Sequence, residues 1–318
     1  MFETAEPAHF NHMPDVSVVV PTHNRASLLK VHLRALAEQS FPRKSTEWII
    51  VCDGCIDDSA QVARDAGSDW VIEQVGSGPA AARNAGLAAA TAPIVLFLDD
   101  DIIPTQSWVQ ALVDDFESDD PKVLHMGYCP HAPTGIVTHL DRRNAAWYES
   151  KIAVLREPGY RLGFTDFFGG NFGVDRGEFR LFGAFDPSFW LAEDFEMAFR
   201  ALHSGWQIRF VPAARAEHHA HRDAHAYGDQ AFRAGQADAM FVRVHPEVAP
   251  HVRIGIKRRP LKRVAGAAWR GLSLRSPAGV GLAERLAPIA ERVKARALLD
   301  VLYPLLWDGQ YWRGVAAA

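Results

Sequence analysis

The chain has 318 residues, 48% of them apolar and 23% charged, an ordinary balance for a folded globular protein. Eighteen Phe and nine Trp furnish a core and exclude a disordered chain. The length fits roughly two domains, or one large α/β domain with additions. The net charge of -4 hides an asymmetry: residues 1–120 carry 7 Lys and Arg against 19 Asp and Glu, the remainder 27 against 19. An acidic half fits cation binding or a solvated face; a basic half fits a polyanion or a membrane surface. Three cysteines cannot form a disulfide framework in a chain this long. Cys52 and Cys55 have C-x-x-C spacing, but no second pair exists to complete a zinc site. No run of about 18 uncharged apolar residues occurs. The N-terminus MFETAEPAHFNHMPD sets acids ahead of any apolar run, unlike a secretory signal. The expected location is cytoplasmic.

Val16–Val20 is a β-branched run and reads as a buried strand. Ala26–Gln39 follows with Leu29, Leu33 and Leu36 on one helical face. Trp48–Cys52 reads as a second strand, then a helix capped by Asp57 or Asp58 and closed at Gly67. Trp70–Glu73 is a third, short strand, Pro79–Ala90 an Ala-rich helix, and Ile94–Leu98 a fourth strand. A helix with Trp108, Leu112, Val113 and Phe116 follows Pro104. Strands alternating with helices imply a parallel sheet covered on both faces. Ligands of such sheets bind beyond the carboxyl ends of the strands. Those ends carry Pro21-Thr22-His23-Asn24-Arg25, then Asp53-Gly54-Cys55, then Asp99-Asp100-Asp101, so three polar clusters converge on one rim. Further on, Phe167–Val174 is glycine-rich and aromatic, Glu193–His203 reads as a helix and Gln207–Val211 as a strand.

Three carboxylates at the end of an apolar strand repel one another unless a cation or hydrogen-bond donors compensate. Mg²⁺ or Mn²⁺ prefers such hard oxygens and often takes only one or two protein carboxylates plus phosphate oxygens. Helix capping ahead of Pro104 is the plainer alternative. The first strand is not followed by G-x-G-x-x-G, and no G-x-x-x-x-G-K-[ST] occurs, which argues against dinucleotide and P-loop sites.

The ordered set VVVPTHNR, VCDGCIDDS, GPAAARNAG and FLDDD, continued by FFGGNFGV and WLAEDFEMAFRALHSGW, resembles the inverting family 2 glycosyltransferases of GT-A fold over about residues 15–220. The resemblance implies an α/β fold: a mostly parallel sheet flanked by helices, with a Rossmann-like nucleotide half and an acceptor half. The corresponding boundaries are an arm at 1–14, a catalytic domain at 15–225 divided near 125, and a mainly helical extension at 226–318. It implies transfer from a nucleotide-diphosphate sugar, most simply a UDP-sugar, to an acceptor hydroxyl with inversion, assisted by Mn²⁺ or Mg²⁺. Pro21, Thr22, His23 and Asn24 line the nucleoside pocket, with Arg25 at its edge and Asp53 accepting from the base. Arg83 approaches the diphosphate, and Gly78 and Gly86 permit close backbone approach there. Asp99 and Asp101 form the D-x-D element, with Asp101 on the metal and Asp100 near the ribose or donor sugar. Asp194 is the implied base, with Glu193 beside it and Glu196 as a substitute. Gly169, Gly170, Asn171 and Glu193 form the acceptor-side floor under the donor sugar. Some enzymes of this fold use a late histidine on the metal or diphosphate, which favours His219 or His221 within the cluster of His218, His219, His221 and His225. Cys52-Asp53-Gly54-Cys55 departs from the usual pattern of two acids before Gly and Ser after it.

Inverting transfer needs a carboxylate on the acceptor side to take the hydroxyl proton, and the leaving diphosphate needs charge neutralisation. Two separate acidic loci fit that division. Phe167, Phe168, Phe172, Phe189 and Trp190 could stack on a sugar ring or simply fill the core. A sugar-phosphate nucleotidyltransferase is the nearest rival, but PTHNRAS lacks the glycine-rich basic loop such enzymes need; a non-catalytic nucleotide-sugar-binding homologue is another. The acceptor is a glycan, a lipid-linked sugar or a small molecule. The tail carries basic residues from Arg253 to Arg275, then Leu282, Leu286, Ile289 and Val293 at helical spacing. Such a pattern fits peripheral contact with the inner face of a membrane, or packing on a second subunit as a homodimer. No recognised nucleic-acid module accompanies the charge, so no nucleic-acid partner is expected.

Overall fold

Strands β1 (Val16–Thr22) and β2 (Thr46–Asp53) are buried along nearly their whole length, which is why they read as apolar runs rather than alternating ones. The computed structural model describes residues 13–116, 120–132, 135–219, 223–254 and 277–318. His221, Arg222 and the basic positions from Lys257 to Arg275 lie outside the described residues. The described chain divides into two compact units, one drawn from residues 1–132 and 147–220, the other from 133–146 and 221–318.

The first unit holds an eight-stranded sheet. Its strands also include β3 (Trp70–Gln74), β4 (Ile94–Leu98), β5 (Ile102–Pro104), β6 (Val123–Tyr128), β7 (Asn171–Asp175) and β8 (Gln207–His218). Their order is β3-β2-β1-β4-β7-β6-β8-β5. Helices α1 (Ala26–Ala37), α2 (Ser59–Asp65) and α3 (Pro79–Ala89) connect the first four strands, which pair in parallel. The sheet therefore grows outward from β1 through β2 to β3, and β4 returns to the other side of β1. That reversal makes a crevice between the carboxyl ends of β1 and β4, the usual ligand position in open α/β sheets. Beyond β4 the sheet is mixed: β7 runs antiparallel to β4 and β6, and β8 is parallel to β6 but antiparallel to β5.

Two registers carry chemistry to the crevice. Leu98 pairs with Asn171, which brings the Gly169-Gly170 turn beside Asp99, and the Asp99 N–H donates to the Gly170 carbonyl at 2.9 Å. Ile102 pairs with His218, which brings the end of β8 beside Asp101. The sheet is completed by α4 (Trp108–Asp115), α6 (Arg176–Phe182), α7 (Glu193–His203) and the later turns of α5 (His139–Leu155). A cluster of Phe97, Phe172, Phe179 and Phe185 packs behind the crevice, with Phe97 and Phe172 stacked at 4.8 Å. Gly86 serves this packing and not the site: a Cβ there would lie 2.2 Å from Val19 Cγ1, so α3 settles directly on β1.

At the opposite edge, Glu47 is 1% exposed and holds four neighbours. Its carboxylate accepts from Ser17 Oγ (2.5 Å), Trp70 Nε1 (2.9 Å), the Thr91 amide (2.9 Å) and Thr91 Oγ1 (3.1 Å). These bonds tie β1, β2, β3 and the turn before β4 together.

The second unit contains α8 (Ala224–Val244), α9 (Pro277–Arg292), α10 (Arg296–Ala317) and the first turns of α5. Its core joins Leu140, Tyr227, Val280, Ala283, Ala287, Ala290, Leu299, Leu302, Tyr303 and Leu306. Helices α8 and α10 meet backbone to backbone: a Cβ on Gly235 would lie 2.0 Å from the Tyr311 carbonyl oxygen, and one on Gly314 1.9 Å from that of Phe232. Of the apolar line expected here, Leu286 packs against this core beside Val280 and the alanines, whereas Leu282 and Ile289 of α9 and Val293 just past its end face solvent.

Glu47→Ala is expected to leave buried donors unsatisfied and cost roughly 2–4 kcal/mol. A thermal melt with a lowered midpoint and an unchanged native circular dichroism spectrum checks this; an unshifted midpoint refutes it.

Candidate active site

The loops after β1 and β2 are stitched into one wall. The His23 Nδ1–H donates to the Asp53 carbonyl at 2.5 Å, the Ile56 amide to Asn24 Oδ1 at 2.8 Å, and the Ala26 amide, at the start of α1, to Asp57 Oδ2 at 2.9 Å. Asn24 adopts φ 53°, a left-handed conformation that asparagine tolerates better than most residues. His23, Asn24 and Arg25 are exposed, Pro21 is half-buried and Thr22 is buried. The buried Asp53 carboxylate accepts from Gln74 Nε2 and the Ser77 amide on Oδ1, and from the Gly78 amide on Oδ2, each at 2.8 Å. One lone pair of Oδ2 remains for a ligand donor. Asp53 thus anchors the Gly76-Ser77-Gly78 loop that opens α3.

The three aspartates after β4 are held apart by separate partners. Asp99 Oδ1 accepts from Arg83 Nη2 at 2.7 Å. Burial raises the Asp99 pKa, and Arg83 opposes that rise. Asp100 accepts from Thr22 Oγ1 (2.6 Å) and Arg25 Nη1 (2.7 Å). Burial lifts its pKa to about 6 despite Arg25. Asp101 accepts from the same Arg25 Nη1 at 2.9 Å, and its Oδ1 lies 3.7 Å from His218 Nε2. Burial would raise this carboxyl, but His218 and Arg25 outweigh it and hold Asp101 well below the usual carboxylate range. A single half-exposed guanidinium, that of Arg25, therefore stands where a cation bridging Asp100 and Asp101 would be stabilised.

Among the described residues no group of three or more His, Cys, Asp and Glu is arranged to hold a metal ion alone. A hard dication on a diphosphate needs fewer protein ligands, because phosphate oxygens and water supply the rest. Asp101 and His218 offer one ionised oxygen and one imidazole nitrogen on the same rim, and that pair fits. The histidine at Asp101 is His218; the adjacent His219 directs Nε2 toward Glu217 Oε2 at 3.7 Å and meets Asp101 only through its backbone N–H, 2.8 Å from the Asp101 carbonyl. Asp99, on the Arg83 side, is turned to a different partner.

The second acidic locus starts α7. Asp194 Oδ2 accepts from the Gly169 amide at 3.2 Å and Oδ1 from the Phe195 amide at 2.9 Å. Burial, then the neighbouring Glu193 charge, lifts its pKa to about 6, against the pull of Arg83. A Cβ on Gly169 would lie 2.4 Å from Asp194 Cβ, and one on Gly170 2.9 Å from Asp99 Oδ2. The glycine pair thus threads between the two loci. Glu193 Oε1 accepts from Arg83 Nη1 at 2.6 Å. Arg83, 4% exposed, spans from Asp99 to Glu193, and the two acids raise its pKa although burial alone would lower it.

Other expected residues have internal duties. Asn171 is 1% exposed, accepts from Trp108 Nε1 (2.8 Å) and donates to the Ala214 carbonyl (3.2 Å). Glu196 is buried and paired with Arg200 at 2.5 Å. Phe167, Phe172 and Phe189 are core residues, whereas Trp190 is 54% exposed beside Gly78, where a Cβ would be 3.3 Å from Trp190 Cβ. The sequence reading missed Glu193 as the far partner of Arg83; the adjacent acids Glu193-Asp194 were its only linear signal.

An open α/β sheet with two acidic loci at its switch point defines the class. Residues 17–180 match the model of glycosyl transferase family 2, and the chain belongs to this family. It is 30% identical over 308 residues to the pre-mycofactocin glycosyltransferase of Mycobacterium tuberculosis, covering 91% of this chain and 60% of that protein. It is 28% identical over 232 residues to the validoxylamine A glucosyltransferase of Streptomyces hygroscopicus subsp. jinggangensis, covering 62% and 53%. The chain thus spans little more than half the length of these relatives. The mannosyltransferase PcManGT from Pyrobaculum calidifontis, solved in complex with GDP-Man and Mn²⁺, superposes with a TM-score of 0.59 at 20% identity, covering 100% of this chain and 89% of that one. That likeness establishes the GT-A fold.

Arg83→Leu is expected to strand two buried acids and destabilise the protein by about 3 kcal/mol. The deficit should shrink as the pH falls, because burial raises the Asp99 pKa and its protonation removes uncompensated charge. Melting temperatures of both proteins across acid pH test this; a constant gap contradicts it.

Proposed function

We propose that the chain transfers a sugar from a nucleoside-diphosphate sugar, a UDP-sugar in the simplest reading, to an acceptor hydroxyl with inversion at the anomeric carbon. The observation that carries this reading is the pair of acidic loci joined through buried Arg83: Asp99–Asp101 at the switch point and Asp194 across the Gly169-Gly170 turn. The free lone pair of Asp53 accepts the imide N–H of a uracil ring, and the loop after β1 borders the nucleoside. Asp101 and His218 would hold a divalent cation, Mn²⁺ or Mg²⁺, which would supply charge neutralisation for the diphosphate.

Asp194 takes the proton from the acceptor hydroxyl as the oxygen bonds to the anomeric carbon and the bond to the diphosphate breaks. A raised pKa makes its carboxylate a stronger base than an ordinary aspartate, at the cost of a narrower pH range. Trp190 borders the donor loop and offers a ring face to a sugar. Relatives act on acceptors as different as those their names record, so acceptor class belongs to this proposal and not to the fold.

Transfer should require ionised Asp194, so the rate is expected to fall as pH drops below about 6 and to level off above it. Asp194→Asn should abolish transfer while UDP with Mn²⁺ still binds in calorimetry; turnover within tenfold of wild type removes Asp194 from the reaction. His218→Ala should weaken UDP binding at least tenfold in the presence of Mn²⁺ and leave metal-free binding unchanged, whereas His219→Ala should leave both unchanged. Equal effects of the two variants would overturn the assignment of His218.

A further inference from the structure

Helix α9 carries apolar residues on two faces. Val280, Ala283, Ala287 and Ala290 pack into the core of the second unit. Leu282, Ile289 and Val293 are 50%, 57% and 70% exposed. Ile289 follows Leu282 by close to two helical turns, and Val293, in the turn just past the helix, continues the line through its amide bond to the Ile289 carbonyl at 3.2 Å. Across the short connection, Leu298 and Val301 on the first turns of α10 are each 44% exposed. Scattered surface aliphatics need no explanation, but five on one helical corner do.

The charges of this corner are sorted. Each acid is turned to a partner within the unit. Glu284 pairs with His225 at 2.5 Å, and Asp300 with His139 Nε2 at 2.8 Å. Glu291 caps the start of α5 by accepting from the His139 and Leu140 amides, and it also accepts from Tyr303 Oη at 2.9 Å. Arg285, Arg292, Lys294 and Arg296 are all exposed, and among the described residues no carboxylate pairs with them. Asp300 stays 60% exposed beside its histidine, so the surface is aliphatic with cations in excess. In sequence, residues 255–276 immediately before α9 add seven Lys and Arg and no acid.

We propose that the α9–α10 corner docks on an anionic lipid bilayer. Leu282, Ile289, Val293, Leu298 and Val301 enter the boundary between headgroups and acyl chains, while Arg285, Arg292, Lys294 and Arg296 meet lipid phosphates. A second copy of the chain is the poorer occupant, since an isologous contact would bring two cationic faces together. A nucleic acid matches the charge but leaves five aliphatics in water. No described helix is long and apolar enough to cross a membrane, so the contact is peripheral.

The test is flotation of the full chain with vesicles of phosphatidylcholine and phosphatidylglycerol in equal parts, against vesicles of phosphatidylcholine alone. Each basic residue near an anionic surface contributes roughly a fivefold gain, so binding to the anionic vesicles is expected to be stronger by at least about tenfold and to weaken as salt is added. The double variant Ile289→Glu, Val293→Glu should lose at least about tenfold in binding to the anionic vesicles with an unchanged melting curve. Should it fail to fold, Ile289→Ser with Val293→Ser makes the same comparison. Arg292→Glu with Arg296→Glu should abolish most of the salt-dependent part. Undiminished flotation of the folded aliphatic variant overturns the proposal, as does equal binding of wild type to both vesicles. A wild-type dimer that the aliphatic variant splits, with neither protein floating, also overturns it and assigns the corner to a second copy.

Discussion

A buried guanidinium holding two acids apart is the constraint on which the rest of the first unit depends. Arg83 leaves α3, reaches Asp99 at the end of β4 and Glu193 at the start of α7, and is almost wholly removed from water. A charge in that position is tolerable because two carboxylates lie within 2.7 Å of it. The same bridge sets the spacing between the rim of Asp99–Asp101 and the helix that carries Asp194. The glycine pair 169–170 completes the arrangement, because any side chain there would collide with one locus or the other.

Neighbouring carboxylates in this crevice differ in character because their surroundings differ. Asp101, beside Arg25 and His218, keeps its charge far into acid; Asp100 and Asp194, short of compensating charge for their burial, reach about 6. Separate environments of this kind allow acids a few residues apart to take opposed roles, one set holding positive charge and one moving a proton. The half-exposed Arg25, shared by Asp100 and Asp101, offsets their repulsion.

Much of this was legible in the linear chain. β4 and α7 occupy the residues read for them, because a five-residue aliphatic run and a strongly amphipathic helix leave little choice of period. β6, β7, α5 and α8 were not read. β6 carries His125 and a glycine, β7 is half glycine and asparagine in its first positions, and α5 is polar on most of its circumference, so none shows a clean period. β8 runs on to His218 well past the strand expected at Gln207–Val211, since its later half is held by pairing with β5 and not by its own composition. Consecutive strand residues point to opposite sides, so the choice between His218 and its neighbour depended on a register that the sequence does not encode locally.

The sequence by itself determined the α/β alternation, the convergence of three polar clusters on one rim and the presence of two acidic loci, because these follow from local periodicity and from what ends each strand. The tertiary structure alone decided which groups meet: that Arg83 turns inward to Glu193 rather than outward, that His218 stands at Asp101, and that Leu282 and Ile289 of α9 face water while Val280 and its alanines face the core. Each of these is a contact between segments far apart in the chain, fixed by strand register and by how closely helices approach, and neither quantity is written in any single stretch of residues.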